Sequence, residues 1–583
     1  MHSMEDITTL LEMVLRYHEE TKHRFDRYAR APGYLDWANQ PDPFRRYAGA
    51  ALARLPILGP DEEPLSPPYD RLFFPGAVPS APVTIRTISR LFEYALALSA
   101  WKQADGTRWA LRSNPSSGNL HPTEGYLLIG AIRGLASSPA LYHYAPKEHG
   151  LERRADCPEE LHASLMQAFP PRAFLVALTS VHWREAWKYG ERAFRYCQHD
   201  AGHAIGTIRI AAATLGWSAA VLDGPADETV EALLGLSRGE DFAGAEREHP
   251  DLVMAVWPTD PGRDGRAGTH RVLPLYLDSD VVHELAAQRW YGRANRLSMD
   301  DPVPWEIIDR VTAASRKIDE ERRALDFVAP SQAPEAVPPV AGGASAGQII
   351  HRRRSLLACD GKTSISAARF FRMLARVMPR SDLEVMQRPM PWDAIPWDPA
   401  IHLGLFVHRV NDLDPGLYML ARDPGKVEKL RRSTHERFAW VTPPGCPADL
   451  PLYLLERGDA RRLASQVSCF QDIAGDGVFS LGMIAEFQEN LFTRGPWFYR
   501  RLFWECGAIG QVLYLEAEAA GVRATGIGCF FDDPVHQIFG FQDFAFQSLY
   551  HFTVGGAVDD PRLTTLRPYG ARMAGQARGM DLP

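Results

Sequence analysis

Several features that would mark other classes of protein are scarce in this 583-residue chain. No apolar run approaches the roughly 18–20 residues that a helix needs to cross a bilayer. Glu5 and Asp6 lie within the opening stretch, which is therefore typical of an amphipathic helix and not of a signal peptide. The seven cysteines include no CxxC pair, which argues against a disulfide framework or a structural zinc site. The sequence predicts a cytoplasmic protein without a membrane span.

Excess positive charge is also missing. Lys and Arg number 64 against 72 Asp and Glu, a net charge of −8, so the chain lacks the basic character of a nucleic-acid-binding protein. The basic residues are scattered, and an anionic membrane surface is not indicated either. With 45% hydrophobic and 23% charged residues, the chain is typical of a globular protein. Its length suggests two to four domains, at roughly 100–200 residues each.

Two low-complexity stretches divide the chain. Residues 1–82 begin with a helical pattern and become rich in Pro and Gly from Pro56, which predicts an irregular surface arm. Residues 329–347 contain almost no large apolar side chains and are typical of a linker. Residues 83–328 and 348–583 are then the two main domains.

The two halves resemble each other. A shift of 305 positions, without a gap, superposes four glycines and other residues of 173–235 on the second half; the clearest pairs are Gly190 with Gly495, Gly202 with Gly507, Gly216 with Gly521, and Asp227 with Asp532. A shift of 276 superposes Pro139-x-Leu-Tyr on Pro415-x-Leu-Tyr. Glycines in phase over some sixty positions indicate an internal duplication.

Each copy is expected to be α+β. The predicted elements are a strand at 173–181, a helix at 192–215 ending at Gly216, its counterpart at 500–520 ending at Gly521, a strand at 219–222, and a following helix capped by Asp227 or Asp532.

Two segments carry groups suited to ligand binding. The run 114–124 (NPSSGNLHPTE) combines Ser and Asn with Gly, which lets a flat ligand approach the backbone; the alternative is a turn followed by a helix N-cap. The run 351–355 (HRRRS) offers guanidiniums and a hydroxyl suited to a phosphate; the alternative is a solvated end of the linker.

Two further motifs are less specific. Lys188 and Tyr189 are capable of general acid/base work in a pocket that shifts their pKa values, but such a pair also occurs on ordinary surfaces. His199 and His203 have the i, i+4 spacing of a zinc-binding helix, but no third ligand is evident. We therefore predict no metal.

The segments 114–124 and 188–217, together with the run YHEETKHRFDRYARAPGYLDWANQPDPFRRY near the N-terminus, resemble the SagB/ThcOx-type dehydrogenase branch of the nitroreductase superfamily. The segments 352–355 and 505–534 resemble the start and the closing helix and strand of an ordinary nitroreductase domain. The resemblance implies an α+β, FMN-binding fold, here duplicated as a pseudo-dimer within one chain. The implied catalytic residues are Lys188 and Tyr189. The implied FMN contacts are Arg352, Arg353, Arg354, Ser355 and Arg562 at the phosphate, Gly526, Ile527 and Gly528 along the ring, and Pro115, Ser116, Ser117, Gly118 and Asn119 from the other half.

Each half keeps what the other lacks. Shifting Pro115–Asn119 by 276 gives PWDAI, and shifting Lys188-Tyr189 by 305 gives Thr493-Arg494. We expect one FMN per chain, bound between the halves. The implied function is oxidation of an azoline-like or peptide-derived substrate; the alternatives are a reductase of nitro compounds, quinones or flavins using NAD(P)H, and a flavin-free scaffold that docks a synthetase. O2 is a further candidate redox partner.

Overall fold

The computed structural model describes residues 4–259, 270–322, 324–328 and 343–570. Within these residues the helices are α1 Met4–Glu20, α2 Ile85–Ala95, α3 Glu159–Met166, α4 His182–Tyr189, α5 Ala193–Thr214, α6 Asp227–Leu234, α7 Ser279–Ala286, α8 Glu306–Ala314, α9 Ala346–Arg352, α10 Ala367–Arg376, α11 Val427–Ser433, α12 Arg461–Val467, α13 Asp472–Asp476, α14 Phe487–Arg494, α15 Phe498–Ala519 and α16 Asp532–Phe539.

The strands are β1 Tyr47–Ala48, β2 Leu52–Arg54, β3 Leu98–Ala104, β4 Thr107–Arg112, β5 Thr123–Ile129, β6 Ala140–Ala145, β7 Gly150–Asp156, β8 Phe174–Ser180, β9 Trp217–Val221, β10 His249–Pro258, β11 His270–Leu273, β12 Arg293–Ala294, β13 Leu325–Val328, β14 Ile365–Ser366, β15 Ile401–Val407, β16 Val410–Asn411, β17 Gly416–Leu420, β18 Leu452–Arg457, β19 Phe479–Glu486, β20 Arg523–Ile527, β21 Phe546–Gly555 and β22 Thr564–Leu566. Among the described helices, none is both long enough and apolar enough to span a membrane.

Two large antiparallel sheets share one strand order. The first runs β2-β7-β6-β5-β8-β10-β9, and the second runs β18-β17-β15-β19-β21-β20. Apart from the edge strand β2, every strand of one sheet has a counterpart at the same place in the other. The mixture of helices and sheets confirms the predicted α+β class.

The long helices α5 and α15 lie between the sheets, and their bounds differ by 305 residues at both ends. They cross where Gly202 faces Gly507. A Cβ at Gly202 would collide with the Trp504 carbonyl oxygen, and a Cβ at Gly507 would collide with the His199 carbonyl oxygen. Only glycine permits this approach of two backbones, which explains why both glycines lie in phase.

The predicted elements of the first half agree with the structure at the strand 174–180 and at helix α5, which ends just before Gly216 in the left-handed conformation (φ +67°). The expected capping role of Asp227 and Asp532 is wrong. Each is the first residue of its helix, and neither caps the helix with its side chain.

Those two aspartates instead hold the halves together. Asp532 Oδ1 lies 2.9 Å from Arg195 Nη1, and Asp227 Oδ2 lies 2.6 Å from Arg500 Nη2. The pairs are reciprocal, because Arg500 is Arg195 plus 305 and Asp532 is Asp227 plus 305. All four side chains are buried, so the pairs are matched contacts of an internal interface.

The N-terminal region is more integrated than an arm lying on the surface. Helix α1 packs between the halves: the Tyr17 hydroxyl donates to the Glu191 carbonyl at 2.7 Å, and His18 Nδ1 lies 3.2 Å from the Tyr499 hydroxyl. Strand β2 extends the first sheet, and Tyr69 is buried. The prediction of a purely superficial arm missed these contacts because they are made with distant parts of the chain.

Most of the predicted linker, 329–342, lies outside the described residues. Its last residues are ordered into helix α9, which begins at Ala346. A capping box explains this start, since Ser345 accepts from the Gln348 backbone while the Gln348 side chain accepts from the Ser345 backbone.

Candidate functional site

The segment 115–119 lies in the loop between β4 and β5. Gly118 and Asn119 have φ values of +58° and +61°, a region that Gly and Asn tolerate better than other residues. The Asn119 amide donates to the Ala110 carbonyl at 2.9 Å, and its oxygen lies 3.0 Å from His121 Nε2. A strand follows the loop, so the helix of the alternative interpretation is wrong. The Asn119 side chain stabilises the shape of its own loop.

The two serines of the loop are held by Asp200, two turns into α5. The Ser117 amide and hydroxyl donate to Asp200 Oδ1 at 3.0 and 3.1 Å. Burial raises the pKa of Asp200 to about 7, against the opposing effect of hydrogen bonds from Ser116 and Ser117. Asp200 anchors the loop, a role that the sequence did not indicate.

The Lys188-Tyr189 pair ends helix α4 and faces this same loop. Lys188 Nζ lies 5.2 Å from the centre of the Tyr189 ring. A Cβ at Gly118 would collide with the Tyr189 hydroxyl, so the tyrosine lies against the loop. Burial, and then the nearby Glu185 carboxyl, raise the pKa of Tyr189 well above its usual value. The tyrosine hydroxyl is therefore kept as a proton donor.

Glu185 lies one turn earlier on α4 and was missed from the sequence. It is fully buried, and neither carboxyl oxygen has a hydrogen-bond partner among the described residues. Burial, followed by the charge of Asp200, raises its pKa well above the usual range, and Lys188 opposes the shift. Its spacing of three and four residues from Lys188 and Tyr189 was the available signal.

The basic segment 352–355 divides between solvent and core. Arg352 is exposed, whereas Arg353 is buried and donates from Nη2 to the Arg112 carbonyl at 2.9 Å. Ser355 Oγ lies 3.1 Å from the Tyr514 hydroxyl. The alternative of a solvated linker end therefore fits Arg352 but not Arg353.

The guanidiniums of this region lack ion-pair partners. Within the described residues, Arg112, Arg353 and Arg354 form no ion pair, although the carboxylates of Glu124 and Glu518 act on them at longer range. Burial, together with the charges of Arg353 and Arg523, lowers the pKa of Arg354 to about 10, and burial likewise lowers that of Arg112 to about 10. Positive charge without compensation is costly inside a protein. The region is thus suited to an anion such as a phosphate.

The strand segment 526–528 adjoins this basic region. The Gly526 amide donates to the Tyr514 hydroxyl at 3.0 Å, the same hydroxyl that contacts Ser355. A Cβ at Gly528 would collide with the Tyr196 ring. The Ile527 side chain is buried in the core, so only its backbone is available to a ligand.

The two halves of the predicted site meet at Tyr196. Its ring packs edge-on against Tyr189, with centroids 4.7 Å apart, and its other side adjoins Gly528. Arg353 reaches the first half at Arg112. The structure thus brings the segments 115–119, 188–189, 353–355 and 526–528 together. These four segments, with Arg112, Tyr196 and Asp200, are called the tyrosine site below.

Arg562 is not brought into this site. Its side chain is 78% exposed and is paired with Asp560, with Nη2 and Oδ2 2.7 Å apart. The nearby late basic residue is Arg523, whose charge acts on Arg354. Arg523 lies in β20 directly before the glycines, a position that the sequence resemblance did not indicate.

Unpaired polar atoms line the space between the basic segment and the loop. Among the described residues, these buried atoms have no hydrogen-bond partner: both side-chain atoms of Asn114, Arg112 Nε, Arg353 Nε and His121 Nδ1. Buried polar groups are rarely left unpaired unless a ligand or water completes them. Donors of this kind, beside glycines and aromatic rings, fit a flat, phosphorylated cofactor.

His199 and His203 both contact the second half. His199 Nε2 lies 3.0 Å from the Leu549 carbonyl, and His203 Nε2 lies 3.2 Å from the Tyr550 hydroxyl. Burial lowers the pKa of His203 to about 3, so its ring is neutral. In the described part of the chain, no three His, Cys, Asp or Glu residues are grouped to hold a metal ion.

Comparisons with known proteins agree with this geometry. Residues 80–245 match the model of the nitroreductase family. A relative from Methanocaldococcus jannaschii, named "Putative nitroreductase MJ1384", is 25% identical over 183 residues, which are 30% of this chain and 82% of the relative.

A solved structure resembles nearly the whole chain. The "putative nitroreductase" from Anabaena variabilis is 19% identical and covers 94% of this chain and 99% of its own, with a TM-score of 0.59. The fold of this chain is therefore nitroreductase-like. A chain of the E. coli microcin synthetase McbBCD complex is 19% identical and covers 45% of this chain and 98% of its own, but its TM-score of 0.24 is too low to bear on the fold.

Proposed function

We propose that this chain is an FMN-dependent oxidoreductase that binds one FMN between its halves, at the tyrosine site. The match of residues 80–245 to the nitroreductase family model supports this proposal. The observation that carries this proposal is the group of buried, uncompensated guanidiniums on one side of a loop built from Pro, Ser, Gly and Asn. FMN, when bound, supplies the redox chemistry, and the protein supplies binding, orientation and proton transfer.

Each segment has a distinct part in the proposal. Arg353, Arg354 and Ser355 hold the phosphate, because a buried phosphate needs charge and donors. The backbone at 526–528 lies along one edge of the ring, and the loop 115–119 approaches it from the first half. Arg352 is left out of the phosphate site because it is exposed, and Arg562 because it is exposed and paired with Asp560.

Proton handling falls to helix α4. The Tyr189 hydroxyl, kept protonated by its buried setting, holds a proton at the loop. Lys188 lies beside the tyrosine ring and is half-buried, so it connects that hydroxyl with solvent. The Glu185 carboxyl is buried and has no hydrogen-bond partner among the described residues, which favours its neutral form. It lies one turn before Lys188 and Tyr189 on the same helix.

We further propose that the reaction is a SagB-type oxidation of an azoline-like or peptide-derived ring. Support for this finer assignment comes from the sequence motifs around Lys188-Tyr189 and 115–119, and from their meeting in space. The internal duplication is part of the same proposal. It is supported by the strand order that the two sheets share and by the basic segment, which only the second half retains.

Titrating the protein with FMN tests the binding proposal. We expect a flavin spectrum, one FMN per chain by mass identification of the released ligand, and no stoichiometric Zn or Fe. Two equivalent FMN sites per chain, or a protein that stays colourless after soaking with FMN, would contradict it.

Steady-state assays test the direction of the reaction. Oxidation of an azoline-containing peptide with O2 as acceptor, without NAD(P)H, supports the dehydrogenase. Turnover of nitro compounds, quinones or free flavins that requires NAD(P)H would assign the chain to the reductases instead.

A further inference from the structure

Two cysteines that the proposed function does not use lie against each other. The sulfur atoms of Cys469 and Cys529 are 2.7 Å apart, although both are free thiols. They come from segments sixty residues apart, one before α13 and one directly after Gly528. Both residues are half-buried, so they are within reach of solvent.

Two hydrogen bonds hold the two segments together. The Phe531 backbone amide donates to the Val467 carbonyl at 2.8 Å, and the Gln471 side-chain amide donates to the Cys529 carbonyl at 3.0 Å. The thiols are therefore held in contact by bonds that do not involve sulfur. Closing a covalent bond between such preorganised groups costs little further entropy.

The backbone at Cys469 also has an unusual shape. Cys469 and Phe470 have φ values of +53° and +59°. Two consecutive non-glycine residues in the left-handed region are unfavourable and persist only where the surroundings impose them. The turn presents the Cys469 thiol to Cys529.

The surroundings activate one thiol of the pair. The shared hydrogen bond with Cys469, followed by hydrogen bonding to His23 and the charge of Arg192, lowers the pKa of Cys529 to about 5. Asp532 is close by, but it is already paired with Arg192 and Arg195. Reactive cysteines occupy such positive, partly exposed positions.

The other half-buried cysteines differ. Burial raises the pKa of Cys446 to about 11 and that of Cys359 to about 12.

Two exposed phenylalanines, Phe25 and Phe470, flank the Cys469–Cys529 pair through their contacts with Phe531. They offer an incoming reagent an apolar contact beside the thiols.

We propose that Cys469 and Cys529 form a redox-active pair that undergoes reversible thiol–disulfide exchange with small-molecule disulfides. The Cys529 thiolate attacks one sulfur of the reagent, breaks its S–S bond and releases one thiol. Cys469 then gives up its proton and attacks the mixed disulfide at the Cys529 sulfur, which releases the second thiol. Two electrons pass from the pair to the reagent. The Cys469 proton leaves on one released thiol, and the other released thiolate takes its proton from solvent.

The first test uses the full chain, reduced and desalted, with oxidised glutathione as the probe. We expect one glutathione disulfide to be consumed per chain, two glutathione thiols to be released, and a peptide linking Cys469 to Cys529 in the mass map. Cys446→Ser should behave like the wild type. Glutathione adducts spread over Cys359 and Cys446, with no linked peptide, would overturn the proposal.

Single variants separate the two steps. Cys469→Ser should stop at a stable glutathione adduct on Cys529, whereas Cys529→Ser should suppress the exchange. If a variant fails to fold, the wild type still decides: at pH 6, iodoacetamide should modify Cys529 roughly 100-fold faster than Cys446, from thiolate fraction and nucleophilicity together. Equal rates would overturn the proposal. None of these measurements needs FMN, so their failure would leave the proposed function untouched.

Discussion

The tyrosine site and its counterpart, at positions shifted by 305 residues, are built on equivalent helices and strands but have different side chains. In the tyrosine site, Tyr196 adjoins Gly528. At the equivalent positions the second region has Arg501 and Asp223, which form an ion pair with Nε and Oδ1 3.1 Å apart. Arg501 also lies over two tryptophan rings, at 4.7 and 4.4 Å from their centroids. The second region is therefore filled by its own side chains.

The two regions also differ in how charge is balanced. In the counterpart region, Arg500 and Arg501 are both paired with buried aspartates. In the tyrosine site, the buried Arg112 and Arg353 have no acidic partner among the described residues. Residues that satisfy each other stabilise the fold, whereas uncompensated charge indicates a place for a ligand. Two halves with the same fold therefore need not keep the same binding site.

The largest expected effect is on catalysis at Lys188 and Tyr189. Lys188→Ala and Tyr189→Phe should retain FMN and lose roughly 10²–10⁴-fold in turnover, the usual range for a lost acid/base group. Arg494→Ala, at the position equivalent to Tyr189, is the control and should leave turnover unchanged. Turnover and the flavin spectrum of each variant are measured together. Wild-type rates in both site variants would remove the functional difference between the two regions.

A smaller effect is expected on FMN affinity at Arg353. Arg353→Met keeps the side-chain stem over Tyr514 but removes the charge, and should raise the FMN dissociation constant about 10- to 100-fold, as for a lost charge-assisted hydrogen bond of about 1.5–3 kcal/mol. The neighbouring exposed Arg352→Ala should change affinity by less than about threefold. Fluorescence titration with FMN measures both.

The Arg353→Met substitution also tests whether the two regions differ in what they contribute to the stability of the fold. Arg353→Met removes an uncompensated buried charge and should not lower the Tm of the FMN-free protein. Arg501→Met removes the ion pair with Asp223 in the counterpart region, and should lower the Tm. A larger loss of Tm for Arg353→Met than for Arg501→Met would mean that Arg353 serves the fold.

Local patterns predicted the elements well where burial and periodicity coincide. Helix α5 and strand β8 were predicted to within one residue at each end, because continuous apolar runs bounded by Gly or Pro specify them. The roles of Asp227 and Asp532 were predicted wrongly, because a local capping pattern cannot reveal that a buried arginine of the other half competes for the carboxylate.

The segments of the candidate site were predicted from the sequence, but the contacts between them were not. The sequence pointed to the loop 115–119 and the basic run 352–355, but Glu185 and Asp200 became visible only as buried carboxyls facing them. Arg562 is the reverse case. The sequence pointed to it as a late basic contact, but its side chain forms an ion pair with its own neighbour, Asp560. Which charges remain unpaired depends on long-range packing, and sequence spacing does not encode it.

The smallest expected effect concerns pH and compares Asp200 with Glu505, its equivalent in the second half. Glu505 is paired with the buried Arg422, whereas Asp200 receives only hydrogen bonds from uncharged groups. Because burial raises the pKa of Asp200 to about 7 in the folded protein, the folded state keeps a proton that the unfolded chain loses near pH 4. Stability therefore falls as pH rises from about 4 to 7, and the loss persists above that window.

Asp200→Asn removes this titration while keeping an oxygen that accepts from Ser117. Relative to the wild type, it should gain about 2–3 kcal/mol between pH 5 and pH 8, at roughly 1.4 kcal/mol for each of the two pH units between pH 5 and the folded pKa. Urea unfolding at the two pH values measures the difference. Glu505→Gln should instead be destabilising at pH 8, because it leaves Arg422 buried without its partner. If Asp200→Asn showed the same stability difference from the wild type at both pH values, Asp200 would be ionised throughout, and the two acids would not differ as their surroundings indicate.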